Sequence, residues 1–217
     1  MKLTVFNGSP RGNRSNTKIL LEHFLAGFAT TSGNTYELAY LVPAQEEDDL
    51  VRLFREAEQV LLAFPLYTDA MPALVKTFIE SLKPLCGQQG NPDLGFIVQS
   101  GFPESTHSRY VERYLEKLAA RLGCRDTGTI IKGGIEGIQS FPTGMNRSLF
   151  KSFFNLGTIF GATGRFDEKI LRQLAKPEKL SKVQFKIFKY AGETFYWNKL
   201  LKKNSAFEKR FDQPYGK

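Results

Sequence analysis

The stretch that most strongly restricts the fold of this 217-residue chain is Asn7-Gly8-Ser9-Pro10-Arg11-Gly12-Asn13-Arg14-Ser15-Asn16-Thr17. A short apolar run at residues 3–6 precedes it, and apolar residues at helical spacing over residues 17–28 follow it. Either Ser15 or Asn16 can cap the N-terminus of that helix. A buried strand, a polar turn and a helix in this order are typical of the first unit of an α/β protein.

The rest of the main region repeats this alternation of short apolar runs and helical patterns. A second candidate strand at residues 35–41 alternates Tyr36, Leu38 and Tyr40 with smaller or polar residues, and further apolar runs lie at residues 59–64, 94–98 and 129–131. Continuous apolar runs of this length suit strands that are covered on both faces, as in a parallel sheet. Apolar residues recur at helical spacing around Leu50, after Pro72, at residues 110–122 and at residues 148–160. Five βα units in series predict a doubly wound α/β fold with right-handed crossovers.

The composition is that of an ordinary globular protein. Hydrophobic residues make up 41% of the chain and charged residues 24%, which excludes a wholly disordered protein. No run approaches the roughly 18 uncharged apolar residues of a membrane span, so no transmembrane segment is expected. The two cysteines, Cys86 and Cys124, form no disulfide framework and no metal-binding spacing. A reduced, cytoplasmic protein is therefore expected.

The charge of the chain is concentrated at its C-terminal end. Lys and Arg number 30 against 22 Asp and Glu. Residues 165–217 hold 14 basic and 6 acidic residues, so residues 1–164 are neutral overall. The alternation of strands and helices also ends at Gly164. We therefore expect one domain at residues 1–164 and a basic helical extension at residues 165–217.

The longest helix expected in this extension covers residues 180–201 and is amphipathic. Five residues form its apolar stripe: Leu180, Val183, Ile187, Ala191 and Phe195. Lysines occupy another face, and aromatic residues among lysines would suit nucleic acid or an anionic membrane. A helix that covers the sheet edge or a dimer partner explains the same pattern, and this second interpretation is favoured. No nucleic-acid partner is therefore expected.

The turn that follows the first strand is rich in groups that bind phosphate. Hydrogen bonds can come from the N–H groups of the helix N-terminus and from the side chains of Ser9, Arg11, Ser15, Asn16 and Thr17. The turn matches neither the P-loop pattern nor Gly-x-Gly-x-x-Gly, which disfavours a P-loop nucleotidase and a dinucleotide site. A monophosphate site is the favoured interpretation, and a polar connector with a capping serine is the alternative.

The loops after strands three, four and five should lie at the same edge of the sheet as this turn. After strand three, an aromatic ring and main-chain N–H groups could hold a flat heterocycle: Pro65, Leu66, Tyr67 and Thr68. After strand four, small residues are again followed by an aromatic residue: Ser100, Gly101 and Phe102. An ordinary turn is the alternative for each. Residues 133–145, which include Phe141, form either a lid or substrate wall or a plain insertion.

Two of these segments together resemble a known family. Gly8-Ser9-Pro10-Arg11…Ser15-Asn16-Thr17, followed by Pro65-Leu66-Tyr67…Met71-Pro72-Ala73, is similar to the flavodoxin-like NAD(P)H-dependent FMN reductases. That family includes relatives of quinone and azo-dye reductases and of iron–sulfur flavoproteins. The resemblance covers roughly residues 1–135. It implies a five-stranded parallel sheet in the order 2-1-3-4-5, FMN as cofactor and a homodimer.

The resemblance also implies which residues contact the cofactor. The FMN phosphate would be held by Ser9, Arg11, Ser15, Asn16 and Thr17. The ring system would rest on Pro65, Leu66, Tyr67 and Thr68, with Ser100, Gly101 and Phe102 closing the other side. Iron–sulfur relatives carry a compact cysteine cluster after the third strand's loop. This chain has only Cys86 there, so we expect no cluster.

The activity implied is an oxidoreductase reaction. NAD(P)H, as co-substrate, would give a hydride to FMN, and a small-molecule acceptor of the quinone, azo, nitro or flavin type would then take both electrons. The alternative is an FMN-binding electron-transfer protein that serves a protein partner. No general acid or base stands out in the sequence, and His23 and His107 are expected to be capping or surface residues.

Overall fold

The apolar runs form one sheet, whose three central strands are buried on both faces, whereas its edge strand at residues 35–40 is mostly exposed. The computed structural model describes residues 1–42, 47–140, 142–213 and 216. The strands are β1 (Lys2–Asn7), β2 (Thr35–Tyr40), β3 (Gln59–Pro65), β4 (Asp93–Gln99) and β5 (Asp126–Lys132). All neighbours pair in parallel, in the order β2-β1-β3-β4-β5. The predicted doubly wound, flavodoxin-like sheet is confirmed.

The segments between and after the strands form the predicted helices. Those of the first part of the chain are α1 (Asn16–Phe28), α2 (Glu47–Arg55), α3 (Ala73–Ser81), α4 (Arg109–Leu122), α5 (Thr143–Thr163) and α6 (Glu168–Leu174). Helix α5 begins five residues before the predicted start, directly after Pro142, whose fixed φ suits a helix N-terminus. Gly123 ends α4 in a left-handed conformation, as its position after the last apolar residue predicted.

The helices cover the sheet with two separate apolar cores. Helices α2, α3 and α4 pack on one face, with Phe54, Phe78 and Leu115 among the buried side chains. Helices α1, α5 and α6 pack on the other face, where Phe24 and Phe160 are fully or almost fully buried. Both faces of the central strands β1, β3 and β4 are therefore shielded from water, and polar loops lie at the carboxyl edge of the sheet.

Helices α1 and α5 cross at very short range because glycines occupy the crossing point. A Cβ atom on Gly157 would lie 1.8 Å from the Phe24 carbonyl oxygen, and one on Gly27 would lie 2.0 Å from the Phe154 carbonyl oxygen. The Asn34 amide also donates a hydrogen bond to the Gly161 carbonyl oxygen at 2.9 Å. The crossing fixes α5 against the sheet and so positions the chain that precedes it.

The chain divides into two compact units, Met1–Glu178 and Lys179–Lys217, which we call the first unit and the C-terminal unit. The sequence pattern changes earlier, at Gly164, but the residues that follow still belong to the first unit and to its core around α1, α5 and α6. The Phe166 ring stacks on Phe160 with ring centroids 4.8 Å apart, and Leu174 is buried. The helical, basic character of the chain after Gly164 is as predicted.

The C-terminal unit is built on one nearly continuous helical stretch. It consists of α7 (Lys182–Ala191), a π-helical segment (Gly192–Trp197) and α8 (Asn198–Lys203). A capping box starts α7, in which the Ser181 hydroxyl accepts from the Gln184 N–H and the Gln184 side chain accepts from the Ser181 N–H. The side chain of Phe195, placed in the apolar stripe by sequence, lies outside the described residues. Among the residues described, no helix has the length and apolar character to cross a membrane.

Candidate cofactor site at the carboxyl edge of the sheet

The loops that follow β1, β3, β4 and β5 meet at the carboxyl edge of the sheet, on either side of the point where strand order reverses between β1 and β3. Ligands of doubly wound proteins bind outside this edge. Gly8 continues the sheet edge, because its N–H donates to the Ala63 carbonyl oxygen at 2.7 Å. A Cβ on Gly8 would lie 2.3 Å from Val75, so only glycine lets the first loop leave the sheet here.

Asn7, the last residue of β1, organises the first loop from beneath. Its side-chain oxygen accepts from the Ser9 N–H at 3.0 Å, and its amide donates to the Ser15 hydroxyl at 3.3 Å. Asn7 is fully buried. Asn7 was not among the predicted site residues. The signal for it in the sequence is a polar residue at the end of an apolar strand run. Buried and satisfied in this way, Asn7 holds the loop in one conformation.

Ser15 caps helix α1. Its hydroxyl accepts from the Lys18 N–H at 3.1 Å and donates to the Gly12 carbonyl oxygen at 2.7 Å. The cap leaves other N–H groups of the first turn without intrahelical partners, and the positive end of the helix dipole lies in the same place. The helix start is therefore suited to an anion, as the sequence predicted.

Asn16 and Thr17 connect α1 to the neighbouring loops. The Asn16 amide donates to the Ile135 carbonyl oxygen at 3.0 Å, and its oxygen accepts from the Gln139 amide at 2.6 Å. The Thr17 hydroxyl accepts from the Gln99 amide at 3.4 Å. These side chains are engaged within the protein, so their contact with a phosphate stays a prediction. Their observed role is to join three loops into one rim.

Arg11 is the positive side chain of this rim. About half of it is exposed, at 52%, and one guanidinium nitrogen lies 3.8 Å from a carboxylate oxygen of Glu136, which is equally exposed. An exposed ion pair at this distance contributes little. The guanidinium can therefore turn from Glu136 to an anionic ligand at small cost. Ser9, two residues earlier, is buried and its hydroxyl accepts from the Arg11 N–H at 3.4 Å.

The loop after β3 is held in a strained conformation. The N–H groups of Tyr67 and Ala70 donate to each other's carbonyl oxygens, at 2.9 and 3.2 Å. Within this turn Thr68 and Asp69 have φ angles of +50° and +65°, which cost energy for residues with a Cβ, most of all for β-branched Thr. Pro65 ends β3 and Leu66 is buried, whereas Tyr67 is exposed. The turn thus presents main-chain groups and one ring outside the sheet.

The loop after β4 presents a second exposed ring at this edge of the sheet. The Ser100 hydroxyl donates to the Phe102 carbonyl oxygen at 3.0 Å, which closes a tight turn around Gly101. The Phe102 side chain is exposed. A Cβ on Gly133 would lie 2.4 Å from the Phe102 carbonyl oxygen, so the loops after β4 and β5 are in direct contact.

His107 links the loops after β3 and β4, a role the sequence did not reveal. Its Nδ1 atom lies 3.0 Å from the Asp69 carboxylate and its Nε2 atom 3.5 Å from the Glu104 carboxylate. Its ring stacks on Phe102 with centroids 4.9 Å apart. Asp69 and His107 are far apart in sequence, so no local pattern could have paired them. These contacts hold the strained turn and the Phe102 ring in fixed positions relative to each other.

Residues 133–140, the described part of the loop after β5, close the rim. Ile135 and Ile138 are buried, and the Ile135 N–H donates to the Ser100 carbonyl oxygen at 2.9 Å. Phe141, named in the sequence analysis as part of a lid, lies outside the described residues. Whether the loop acts as a lid stays a prediction.

The remaining chemistry-bearing residues form no second centre among the residues described. No group of three or more His, Cys, Asp or Glu side chains within them could hold a metal ion. Cys86 and Cys124 are free thiols. Burial raises the pKa of the Cys124 thiol to about 12, so it is not a reactive thiolate at neutral pH. Burial also lowers the pKa of Lys132, at the end of β5.

A sequence model of the flavodoxin-like fold family matches residues 1–148. An FMN-dependent NADH:quinone oxidoreductase of Bordetella parapertussis is 27% identical over 177 residues, which cover 62% of this chain and 85% of that protein. Its counterpart from Bordetella bronchiseptica matches to the same extent.

Solved structures show the same architecture. An FMN-dependent NADH-azoreductase from Bacillus anthracis, in complex with FMN, superposes with a TM-score of 0.59 at 15% identity and covers 74% of this chain and 100% of that one. An NAD(P)H:quinone oxidoreductase from Methanothermobacter marburgensis gives a TM-score of 0.56 at 16% identity, covering 76% and 99%. Identities this low establish the fold alone. Together with the match of the family model to most of the chain, they lead to one conclusion: the chain belongs to the flavodoxin-like fold family.

Proposed function

We propose that the protein is an FMN-dependent NAD(P)H oxidoreductase that reduces a small-molecule acceptor of the quinone, azo, nitro or flavin type. One observation carries the proposal: a helix N-terminus suited to an anion and a strained turn with an exposed aromatic ring lie at the same edge of the sheet. FMN is a ligand of this form, since it has a phosphate at one end and a flat ring system at the other. The names of the Bordetella relatives and of the Bacillus anthracis structure support the same cofactor.

The phosphate end of FMN fits the rim built on α1. Its dianion would meet the N-terminal N–H groups of α1, which carry partial positive charge, and the positively charged guanidinium of Arg11. Ser9, Ser15, Asn16 and Thr17 would line the same phosphate, and their hydrogen bonds hold the loop in its conformation. On binding, the Arg11 side chain would lose only a weak contact with Glu136, so the loss of interactions within the protein would be small.

The ring end fits the space outside the loops after β3 and β4. Backbone N–H groups near Thr68, in the left-handed turn, would donate hydrogen bonds to electronegative atoms of the ring system. Pro65, Leu66 and Tyr67 would lie along the ring, and Ser100, Gly101 and Phe102 would bound its other side. The exposed Tyr67 and Phe102 rings would also offer a surface to a flat co-substrate.

Bound FMN supplies the redox chemistry, by accepting a hydride from NAD(P)H and passing both electrons to the acceptor. The protein binds the phosphate, orients the ring and leaves one ring face open to both co-substrates in turn. Since both would use the same face, we expect ping-pong kinetics. Obligatory formation of a ternary complex would contradict this part of the proposal.

We further propose that the protein acts as a homodimer in the cytoplasm. The family resemblance supports the dimer, and the two free thiols support a reducing compartment. Sedimentation equilibrium of the protein loaded with FMN would report the dimer directly. A monomer at micromolar concentration would contradict it and leave the oxidoreductase proposal standing.

The visible absorption spectrum tests the proposed function. The freshly purified protein, or protein reconstituted with FMN, should show two flavin bands that bleach when NADPH or NADH is added without oxygen. Bands that persist with both nucleotides would favour an FMN-binding electron-transfer protein that serves a protein partner. A protein that cannot bind FMN at all would refute the flavin proposal, and the anion site at α1 would then need another ligand.

A further inference from the structure

The C-terminal unit carries almost the whole net charge of the protein. Lys179–Lys217 hold 10 basic and 3 acidic residues, whereas Met1–Glu178 hold 20 basic and 19 acidic residues. The excess is therefore local, and it lies in a unit that the FMN proposal does not use. A concentrated positive charge attracts anionic surfaces over the Debye length, about 8 Å at physiological salt.

Helix α7 arranges this charge in a stripe. At about 100° per residue, Lys182, Lys186 and Lys189 fall within roughly 60° of one another around the helix axis. All three are exposed. The stripe runs along one line of the helix, so one flat anionic surface could contact all of it.

Apolar side chains flank the lysine stripe on both sides. Val183, Ile187 and Tyr190 follow it on one side, and each is between 63% and 67% exposed. Phe185 and Phe188 lie on the other side and are also exposed. The row formed by Val183, Ile187 and Tyr190 is an exposed apolar surface of the kind that marks an interaction site. The capping box at Ser181 and Gln184 fixes the helix start, so less ordering is needed on binding.

The combination of charge and apolar surface selects one kind of partner. A second copy of the unit would bring its own excess of positive charge against the first. Nucleic acid would engage the lysines and leave the aliphatic side chains in water. An anionic lipid surface meets both needs, since its headgroups attract lysine and its acyl region accepts the apolar side chains.

We propose that the C-terminal unit docks on anionic lipid membranes, with α7 lying in the plane of the surface. The Val183, Ile187 and Tyr190 side chains enter the boundary between headgroups and acyl chains, and the lysines contact the headgroups. Trp197, which is exposed six residues beyond α7, belongs to the residue type that favours this boundary. Docking is independent of FMN, so its test is separate from that of the proposed function.

Trp197 makes the proposal directly measurable, because it is the only tryptophan in the chain. The full-length protein is titrated with vesicles of phosphatidylcholine alone and with vesicles in which roughly a third of the lipid is phosphatidylglycerol. Co-sedimentation gives the partition coefficient, and tryptophan fluorescence gives the environment of Trp197. We expect binding and a blue shift with the anionic vesicles and neither with phosphatidylcholine.

Two double variants separate the apolar and the electrostatic contributions. Ile187→Ser with Tyr190→Ser should weaken partition into anionic vesicles by about tenfold or more, since two exposed apolar side chains no longer enter the membrane. Lys182→Gln with Lys186→Gln should weaken it by roughly twentyfold and reduce its dependence on salt. All four side chains are exposed, so the variants should fold.

Matched changes in the first unit serve as controls. Tyr110 is an exposed aromatic residue of α4, and Lys76 and Lys117 are exposed lysines of α3 and α4. Tyr110→Ser and the pair Lys76→Gln with Lys117→Gln should leave partition within about twofold of the unchanged protein.

Several results would overturn the proposal. Partition that is equal for neutral and anionic vesicles, or unchanged in both C-terminal variants, would remove the basis for docking by α7. A blue shift that grows with protein concentration without lipid would assign the surface to a second copy. Binding to duplex DNA without binding to anionic vesicles would assign the lysines to nucleic acid.

Discussion

Arg11 and Arg14 stand three residues apart in the same loop, but only Arg11 contributes a side chain to the proposed phosphate site. Its guanidinium lies near Glu136 across the rim. Arg14 offers the rim its backbone carbonyl oxygen, which accepts from the Gln139 amide at 3.2 Å. The backbone contact survives a change of side chain, so Arg14 provides a matched control for Arg11.

Arg11→Ala should weaken FMN binding by roughly 10- to 100-fold, because a charge-assisted hydrogen bond contributes about 1.5–3 kcal/mol. Arg14→Ala should change the dissociation constant by less than about threefold. Quenching of flavin fluorescence on binding to the apoprotein measures both. Equal losses in the two variants would mean that only the general positive charge of the loop matters.

His23 connects α1 and α5 and should make stability depend on pH. Its ring stacks on Phe150 with centroids 4.0 Å apart, and burial lowers the pKa of His23 below its ordinary value of 6.5, with Glu22 acting weakly against the shift. The unfolded chain therefore binds the proton more readily than the folded protein. The contribution of His23 to the free energy of unfolding is fully present above about pH 6.5. It is lost as the pH falls through the lower pKa of the folded protein.

Urea unfolding at about pH 7.5 and about pH 5.5 tests this assignment. The unchanged protein should lose more free energy of unfolding between the two pH values than His23→Gln, which cannot titrate. The comparison between variants removes the effect of every other titrating group. An identical loss in both proteins would show that His23 titrates equally in the folded and unfolded chains.

At the scale of elements, the loops after β3 and β4 depend on His107 for their alignment. His107→Ala removes both the Asp69 contact and the stacking on Phe102, and we expect the FMN dissociation constant to rise by about tenfold. His107→Phe keeps the stacked ring and should raise the FMN dissociation constant by only about threefold. If neither change affects FMN binding, the two loops do not hold the ring together.

The crossing of α1 and α5 depends on the absence of two side chains. In Gly157→Ala the new methyl group would meet the Phe24 carbonyl oxygen at 1.8 Å, so the helices must separate. The variant should lose about 1–3 kcal/mol of stability or more.

Gly144→Ala lies in the same helix with open space around it, and should gain up to about 1 kcal/mol from helix propensity. Thermal unfolding followed by circular dichroism measures both changes, and a Gly157→Ala variant as stable as Gly144→Ala would contradict the crossing.

At the scale of the whole molecule, the end of the first unit can be located by truncation. Phe166 and Leu174 pack residues 165–178 into the core around α1, α5 and α6. In addition, Glu178 forms a bidentate ion pair with Arg109 at 2.9 and 3.1 Å. A chain ending at Glu178 should therefore unfold cooperatively. A chain ending at Gly164 should lose about 3–5 kcal/mol, because it exposes apolar surface that Phe166 covers.

Circular dichroism during urea unfolding is the suitable measurement, because neither truncated chain contains Trp197. Equal stability of the two chains would place the boundary at residue 164, where the sequence pattern changes. Charge does not distinguish the two boundaries, since residues 1–164 are neutral and Met1–Glu178 hold 20 basic and 19 acidic residues.

The order of strands and helices was predictable because it depends on local patterns. Apolar runs bounded by polar turns give strands, and period 3.6 gives helices, as the confirmed sheet shows. The cap at Ser15 and the left-handed end at Gly123 were predictable for the same reason. The approximate place of the candidate site also followed, since parallel strands bring the loops at their carboxyl ends to one edge.

Local sequence patterns were therefore enough to predict the fold and the edge of the sheet where the candidate site lies. The contacts that hold this site became visible only in the folded chain: Asn7 beneath the first loop, Asn16 on the loop after β5, and His107 between the loops after β3 and β4. The same holds for the place of Phe166 in the core around α1, α5 and α6. These contacts join residues distant in the chain, and their pairing depends on three-dimensional packing that no local periodicity encodes.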